Sequence, residues 1–137
     1  RPFCGAAGKI LDELLIGIGT PRESVYITNI VKDRPPENRD PFPEEIALYG
    51  PFLDRQIAII KPKVLAGLGR FSSLYLMNLA HISDQRPISA IHGEVFEGQL
   101  SYGPVSIVPL YHPAATIYNQ SLKETLKKDF AVLKQFT

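Results

Sequence analysis

Tryptophan is missing from this chain, and cysteine is represented once, by Cys4. A single cysteine excludes an intrachain disulfide framework and any all-cysteine metal site built by this chain alone. It is compatible with a reducing, cytoplasmic setting. No apolar run approaches the ~20 residues that span a bilayer, and no signal peptide is visible. Charge of one sign is also lacking: 15 basic residues face 14 acidic ones, for a net charge of +1. Nucleic-acid binding must therefore rest on a local patch rather than on the whole surface. The chain opens on Arg1 rather than Met, as a trimmed or processed chain would. What is present is ordinary for a globular protein, with 45% hydrophobic and 21% charged residues. The 137 residues suit one domain with a real core. Twelve prolines scattered among apolar segments point to rigid loops rather than disorder.

The most informative stretch runs from Val105 to Ala115. A short apolar run, Val105 to Leu110, reads as a buried strand and ends in Tyr111-His112-Pro113. Pro113 fixes its own φ and keeps His112 out of the helical region. His112 is thus expected on a rigid turn at the carboxyl end of a strand, where α/β proteins build their sites. Two uses fit such a histidine: action on a bound ligand, or a hydrogen bond that ties the turn to its own backbone.

Ahead of this stretch, residues 1–8 read as a loop of small residues. Ile10, Leu11, Leu14, Leu15 and Ile18 give Lys9 through Ile18 an amphipathic helical period, stopped by Gly17 and Gly19. Residues 24–31 are rich in β-branched side chains and read as a strand. A loop from Lys32 to Phe42 follows, carrying Lys32, Arg34, Pro35, Pro36 and Arg39. Pro43-Glu44-Glu45 suits a helix's first turn, and Ile46, Tyr49, Leu53, Ile57 and Ile60 continue its stripe. Gly50-Pro51 is expected to kink or restart that helix. Lys63 to Gly69 reads as a second strand, and Arg70 begins a helix ending near Asn78. Glu94-Val95-Phe96 suits a short strand. Ser121-Leu122-Lys123-Glu124 has the pattern of a capping box, with Leu122, Leu126, Phe130 and Leu133 as the stripe of a terminal helix. Strands and helices alternate, which predicts a mostly parallel sheet covered by helices on both faces. Three strand ends, near Asn29, Gly69 and His112, are then expected on one rim.

Five separated stretches together resemble one family, the thermophile-type or family four uracil-DNA glycosylases. They are Arg1-Pro2-Phe3-Cys4-Gly5-Ala6-Ala7-Gly8, Tyr26-Ile27-Thr28-Asn29-Ile30-Val31-Lys32, Arg34-Pro35-Pro36-Glu37-Asn38-Arg39-Asp40-Pro41, Pro62-Lys63-Val64 through Leu68-Gly69-Arg70-Phe71, and Tyr111-His112-Pro113-Ala114-Ala115. They occur in the family's order across nearly the whole chain. The resemblance implies a three-layer α/β/α sandwich with a central, mostly parallel sheet of about four strands. It implies one glycosylase-like domain over residues 1–137, lacking the family's first strand and N-terminal active-site loop, which precede Arg1. It also implies a monomer in the prokaryotic cytoplasm, acting at the nucleoid on uracil-containing DNA, single- or double-stranded, with no membrane partner.

The implied chemistry is hydrolysis of the N-glycosidic bond, which places negative charge on the departing base. A donor fixed beside the base oxygen stabilises that transition state more than the ground state. The resemblance gives this role to His112, donating to uracil O2. It gives Asn29 the reading of uracil, since a carboxamide can accept from N3–H and donate to O4 while cytosine presents the reverse. Phe3 matches the aromatic that stacks on the flipped base. Taken alone, Asn29 could equally tie down a turn and Phe3 could be plain core. DNA would be held by its backbone at Gly69, Arg70 and Ser72, where a helix N-terminus faces phosphate. The rigid Arg34, Pro35 and Pro36 loop, and Ala114 and Ala115 after the histidine, would add contacts. A solvated turn and an ordinary charged loop are the plainer readings of these segments.

Three departures from the family are visible. The family carries a [4Fe–4S] cluster on four cysteines; two lie upstream of this chain and two align with Asp33 and Tyr49, so no cluster is expected. Tyr118 stands where the family has arginine, in a loop that enters the minor groove. His81 and His92 match no family role and read as surface or loop residues. Two alternatives follow from these departures: an inactive DNA- or base-binding module, and a glycosylase for another deaminated base.

Overall fold

The structure is a computed structural model. It describes residues 5–20, 43–84 and 86–136, with residues 43–50 and 52 described by their backbone alone. Within these residues the chain is a mixed α/β protein, organised around one strand.

That strand is β3, Gly103–Leu110, flanked by β1, Val64–Leu68, and β2, Phe96–Leu100. The sheet order is β1-β3-β2. β1 pairs with β3 in parallel, Val64 opposite Ser106 and Leu68 opposite Leu110. β2 pairs with β3 antiparallel, Phe96 opposite Ile107. The sheet of the described residues therefore has one parallel and one antiparallel pairing, and the strand read at 24–31 lies outside them. β2 is antiparallel because only two residues, Ser101 and Tyr102, separate it from β3, a hairpin connection rather than a crossover. Glycines at 98 and 103 obscured this hairpin in the sequence. The strand expected at 94–96 instead begins at Phe96.

β3 is central because it is apolar on both faces. Val105, Ile107, Val108 and Leu110 are essentially inaccessible to solvent, each contributing roughly 1.5–3 kcal/mol through burial. Val105 and Ile107 pack with Leu53 and Ile57 of helix α2 (Pro43–Ile60), Leu76 and Met77 of helix α3 (Arg70–Leu79), and Ile91 of the short helix α4 (Ile88–Ile91). Val108 and Leu110 pack with Ile10, Leu11, Leu14 and Leu15 of helix α1 (Gly5–Gly17) and with Leu126 and Phe130 of helix α5 (Gln120–Phe130). Alternating side chains of one strand thus feed two core clusters, as the period of two requires.

Several local expectations need correction. Helix α1 starts at Gly5, so residues 5–8 are helical rather than loop; Ala6 and Ala7 are good helix formers, and Ala7 is buried in the core. Helix α2 runs unbroken from Pro43 to Ile60 with Pro51 inside it; burial of Leu53 and Ile57 beyond the proline outweighs its local cost. The terminal helix is capped by Asn119, whose Oδ1 accepts from the Leu122 N–H at 2.9 Å, and Ser121 already lies within the helix. Leu133 falls in a closing 3-10 segment, Ala131–Phe136. Asn119→Ala is accordingly expected to destabilise the protein by about 1 kcal/mol, with Ser121→Ala nearly neutral. Urea unfolding of the two variants measures the difference, and equal losses would return the cap to Ser121.

The strand–turn–helix unit β1–α3 is drawn tight by a close backbone approach. A Cβ added to Gly67 would lie 2.7 Å from the Ser73 Cα, so only glycine fits there. The buried Ser73 hydroxyl donates to the Gly67 carbonyl at 3.0 Å. Tyr75 further along α3 donates to Asp54 of α2 at 2.8 Å; burial, and then the Asp54 carboxylate, push its phenol well above the ordinary tyrosine range.

Candidate active site at the end of the central strand

Parallel pairing brings the carboxyl ends of β1 and β3 side by side, and two of the three rim positions expected from the sequence, Gly69 and His112, meet there. The Gly69 N–H donates to the Leu110 carbonyl at 2.7 Å, extending the β1–β3 ladder by one bond. Gly69 has φ +97°, a conformation that side chains rarely adopt. A Cβ on Gly69 would stand 3.3 Å from the His112 Cβ and 3.7 Å from its Cδ2. The turn after β1 is therefore a wall against the histidine. The third rim position, Asn29, lies outside the described residues, as do Phe3, Arg34, Pro35, Pro36 and Asp33.

The backbone beyond β3 follows the Pro113 logic. His112 is extended, with φ −71° and ψ 133°, and a 3-10 turn, Pro113–Thr116, begins directly after it. The buried Thr116 hydroxyl donates to the Pro113 carbonyl at 2.8 Å and closes the turn. The Ala114 N–H donates to His112 Nδ1 at 3.0 Å, and the Ala115 N–H donates to the His112 carbonyl at 2.9 Å. Both uses considered for this histidine, ligand and turn, are thus compatible. A ring that accepts on Nδ1 carries its neutral-state proton on Nε2. The turn bond selects the tautomer whose Nε2–H can donate to an acceptor.

The residues assigned to DNA divide accordingly. The Gly69 N–H is engaged by the Leu110 carbonyl, and the residue lies against His112. Arg70 opens α3 with an exposed side chain, and Ser72 in the same first turn is half-buried; amides of a helix's first turn have no intrahelical partners. The Ala114 and Ala115 amides turn back onto His112, which leaves the exposed surface of Ala115 as the outward element of that turn. Two residues beyond the turn, the Tyr118 side chain is 99% exposed.

A second set of side chains was not legible in the sequence. His92 is no simple loop histidine: its Nδ1 lies 2.6 Å from Asp129 Oδ2, and its ring packs on Tyr111 with centroids 4.8 Å apart. The partners are 37 positions apart, so no local spacing reveals them. His81 stays exposed, at φ +63°.

A strand end whose imidazole accepts a backbone N–H on Nδ1, beside the N-terminus of a helix and an exposed turn, has the composition of a site that can present hydrogen-bond donors to a group gaining negative charge. Comparison with known proteins gives this site its family. A model described as the uracil DNA glycosylase superfamily matches residues 1–134. The chain belongs to the uracil-DNA glycosylase superfamily. Relatives named type-4 uracil-DNA glycosylase share much of its sequence. That of Archaeoglobus fulgidus is 46% identical over 95% of this chain and 65% of the relative. That of Sulfurisphaera tokodaii is 41% identical over 98% and 61%. That of Thermotoga maritima is 38% identical over 99% and 68%. The chain thus spans somewhat under two thirds of the length of the first two.

Proposed function

We propose that the protein is a DNA-repair glycosylase that flips uracil from DNA and hydrolyses its N-glycosidic bond, leaving an abasic site. The observation that carries this reading is the Ala114 N–H to His112 Nδ1 bond, which puts the ring proton on Nε2, the atom that donates to uracil O2 as charge develops on the base. The identities of 38–46% to type-4 uracil-DNA glycosylases support the same substrate. Water supplies the hydroxyl that the sugar gains, and the departing uracil carries the bonding electrons stabilised by the imidazole donor. DNA is engaged by Arg70 and Ser72 at the start of α3, by the Arg34, Pro35 and Pro36 loop, and by the Ala114–Ala115 turn, single- or double-stranded, by a monomer of prokaryotic type. The helix clusters on either side of β3 support a three-layer sandwich over residues 1–137, with residues 24–31 as a fourth strand. Among the described residues no helix is long and apolar enough to cross a membrane.

Release of free uracil from uracil-containing single- and double-stranded oligonucleotides by the full-length protein tests the reading. Tight binding with no base release would make the protein a binding module instead.

Phe3 stacks on the flipped base, and Asn29 selects uracil through its carboxamide. Asn29→Asp loses the N–H donor to O4, and a uracil-over-cytosine preference reduced by roughly 10–100-fold is expected, since an unpaired buried polar group costs about 1–3 kcal/mol. Competition between uracil- and cytosine-containing oligonucleotides measures it. An unchanged ratio would remove Asn29 as the reader.

The reaction proceeds without an iron–sulfur cluster. Four thiolates are needed to hold one, whereas Asp33 and Tyr49 stand at two of the family's four ligand positions. These residues do not fit the group. Anaerobically purified protein is expected to contain no stoichiometric iron; about four iron atoms per chain with a broad visible band would contradict this.

A further inference from the structure

The end of β3 is held on both edges, and the second hold serves no purpose in the reading above. On the β1 edge, Gly69 donates to the Leu110 carbonyl and abuts His112. On the other edge, β2 pairing starts only at Phe96, opposite Ile107. Beyond it, the Gly93 N–H donates to the Pro109 carbonyl at 2.8 Å. Pro109 has no N–H to offer, which is tolerated because β2 has ended there. The last two carbonyls of the strand are thus each taken by a glycine with positive φ, +97° at Gly69 and +80° at Gly93.

Gly93 is tied in turn to helix α5. A Cβ on Gly93 would lie 2.5 Å from Asp129 Oδ1, so this carboxylate covers its Cα directly. The other oxygen of Asp129 accepts from His92 Nδ1. The pair is largely withdrawn from solvent, with side chains 25% and 14% exposed. The His92 ring, so fixed, lies against Tyr111 at an interplanar angle of 34°. Tyr111 is the residue before His112. A carboxylate from α5 therefore sets an imidazole, the imidazole sets an aromatic ring, and the ring fixes the peptide that delivers the donor.

We propose that Asp129 and His92 are positioning residues for His112: with Tyr111 and Gly93 they form a clamp on the strand end opposite the Gly69 wall, and they act on the reaction only through the aim of the His112 ring. The inference rests on the proposed role of His112. Small displacements of a catalytic group are costly, because a shift of about 1 Å can lower a rate by 10²-fold. The clamp adds no bond to substrate, so its loss lowers the chemical step and leaves DNA affinity alone.

The test is a double-mutant cycle on the full-length protein, read as single-turnover uracil release at saturating enzyme with DNA affinity measured in parallel. Asp129→Asn keeps shape and removes the charged acceptor. His92→Gln retains an amide donor for Asp129 and removes the ring from Tyr111; it serves if Asp129→Asn lowers the folded fraction. Each is expected to lower the rate about tenfold with His112 present, with DNA affinity unchanged. Each is expected to have almost no effect in a His112→Ala background, since residues acting through one group are non-additive. Equal losses in both backgrounds would reduce the clamp to general stability and overturn the proposal, as would an unchanged rate with His112 present. Wild-type protein that releases no uracil would instead remove the glycosylase reading, and this inference with it.

Discussion

His112→Ala is expected to lower the single-turnover rate of uracil release by about 10²–10³-fold, the usual cost of removing one preorganised donor to a developing anion, or about 2.7–4 kcal/mol. DNA affinity is expected to change far less, because the donor matters most once charge has moved onto the base. The loss is this large because the structure leaves the ring little freedom. Its Nδ1 is taken by the Ala114 N–H, Gly69 lies against its carbon face, and the following turn is closed by Thr116. Preorganisation of this kind means that no reorientation is needed during reaction. Rates near wild type in His112→Ala would show that the histidine is only a turn residue.

The second large effect is expected at Gly69. Its φ of +97° and ψ of 167° lie in a region open essentially to glycine alone, and forcing another residue there costs about 1–3 kcal/mol. The new methyl group would also meet the His112 Cβ at 3.3 Å, a contact that only a shift of the histidine or of the turn relieves. Gly69→Ala is therefore expected to lower stability by about 1–3 kcal/mol and uracil release by roughly 10–100-fold. The two effects separate experimentally: urea unfolding reports the strain, and the single-turnover rate of the folded fraction reports the displaced ring. A variant with lowered stability and an unaltered rate would mean that the turn does not constrain His112.

The central strand was legible because its residues are apolar without alternation, and burial on both faces leaves no other pattern. The turn at Tyr111-His112-Pro113 was legible because proline restricts two residues at once. Parallel pairing of β1 with β3, which brings Gly69 to His112, followed from the alternation of strands and helices. What local chemistry could not supply was long-range. Asn119 outcompeted the Ser121 capping pattern because the helix begins one residue before Ser121, with Asn119 Oδ1 accepting from the Leu122 N–H. Pro51 sits within α2 because the residues beyond it are buried. The antiparallel β2 hid among glycines that serve close backbone approach, as at Gly98, where a Cβ would meet Ala80. His92 and Asp129 lie on separate elements, and nothing in the spacing of either residue announces the other. The DNA contacts assigned to Gly69, Ala114 and Ala115 were drawn from resemblance; the structure shows amides of all three engaged in building the His112 site.

The tautomer of His112 tests the central claim most directly. Long-range proton–nitrogen correlation spectra of the full-length protein, with His112 identified by the signals lost in His112→Ala, distinguish its two ring nitrogens. The strand end described above requires a ring protonated on Nε2 and bare on Nδ1, with the Ala114 amide proton hydrogen-bonded to Nδ1. A proton on Nδ1, or a ring protonated at both nitrogens, would break the bond from Ala114 and contradict the assignment of Nε2–H as the donor to the departing uracil.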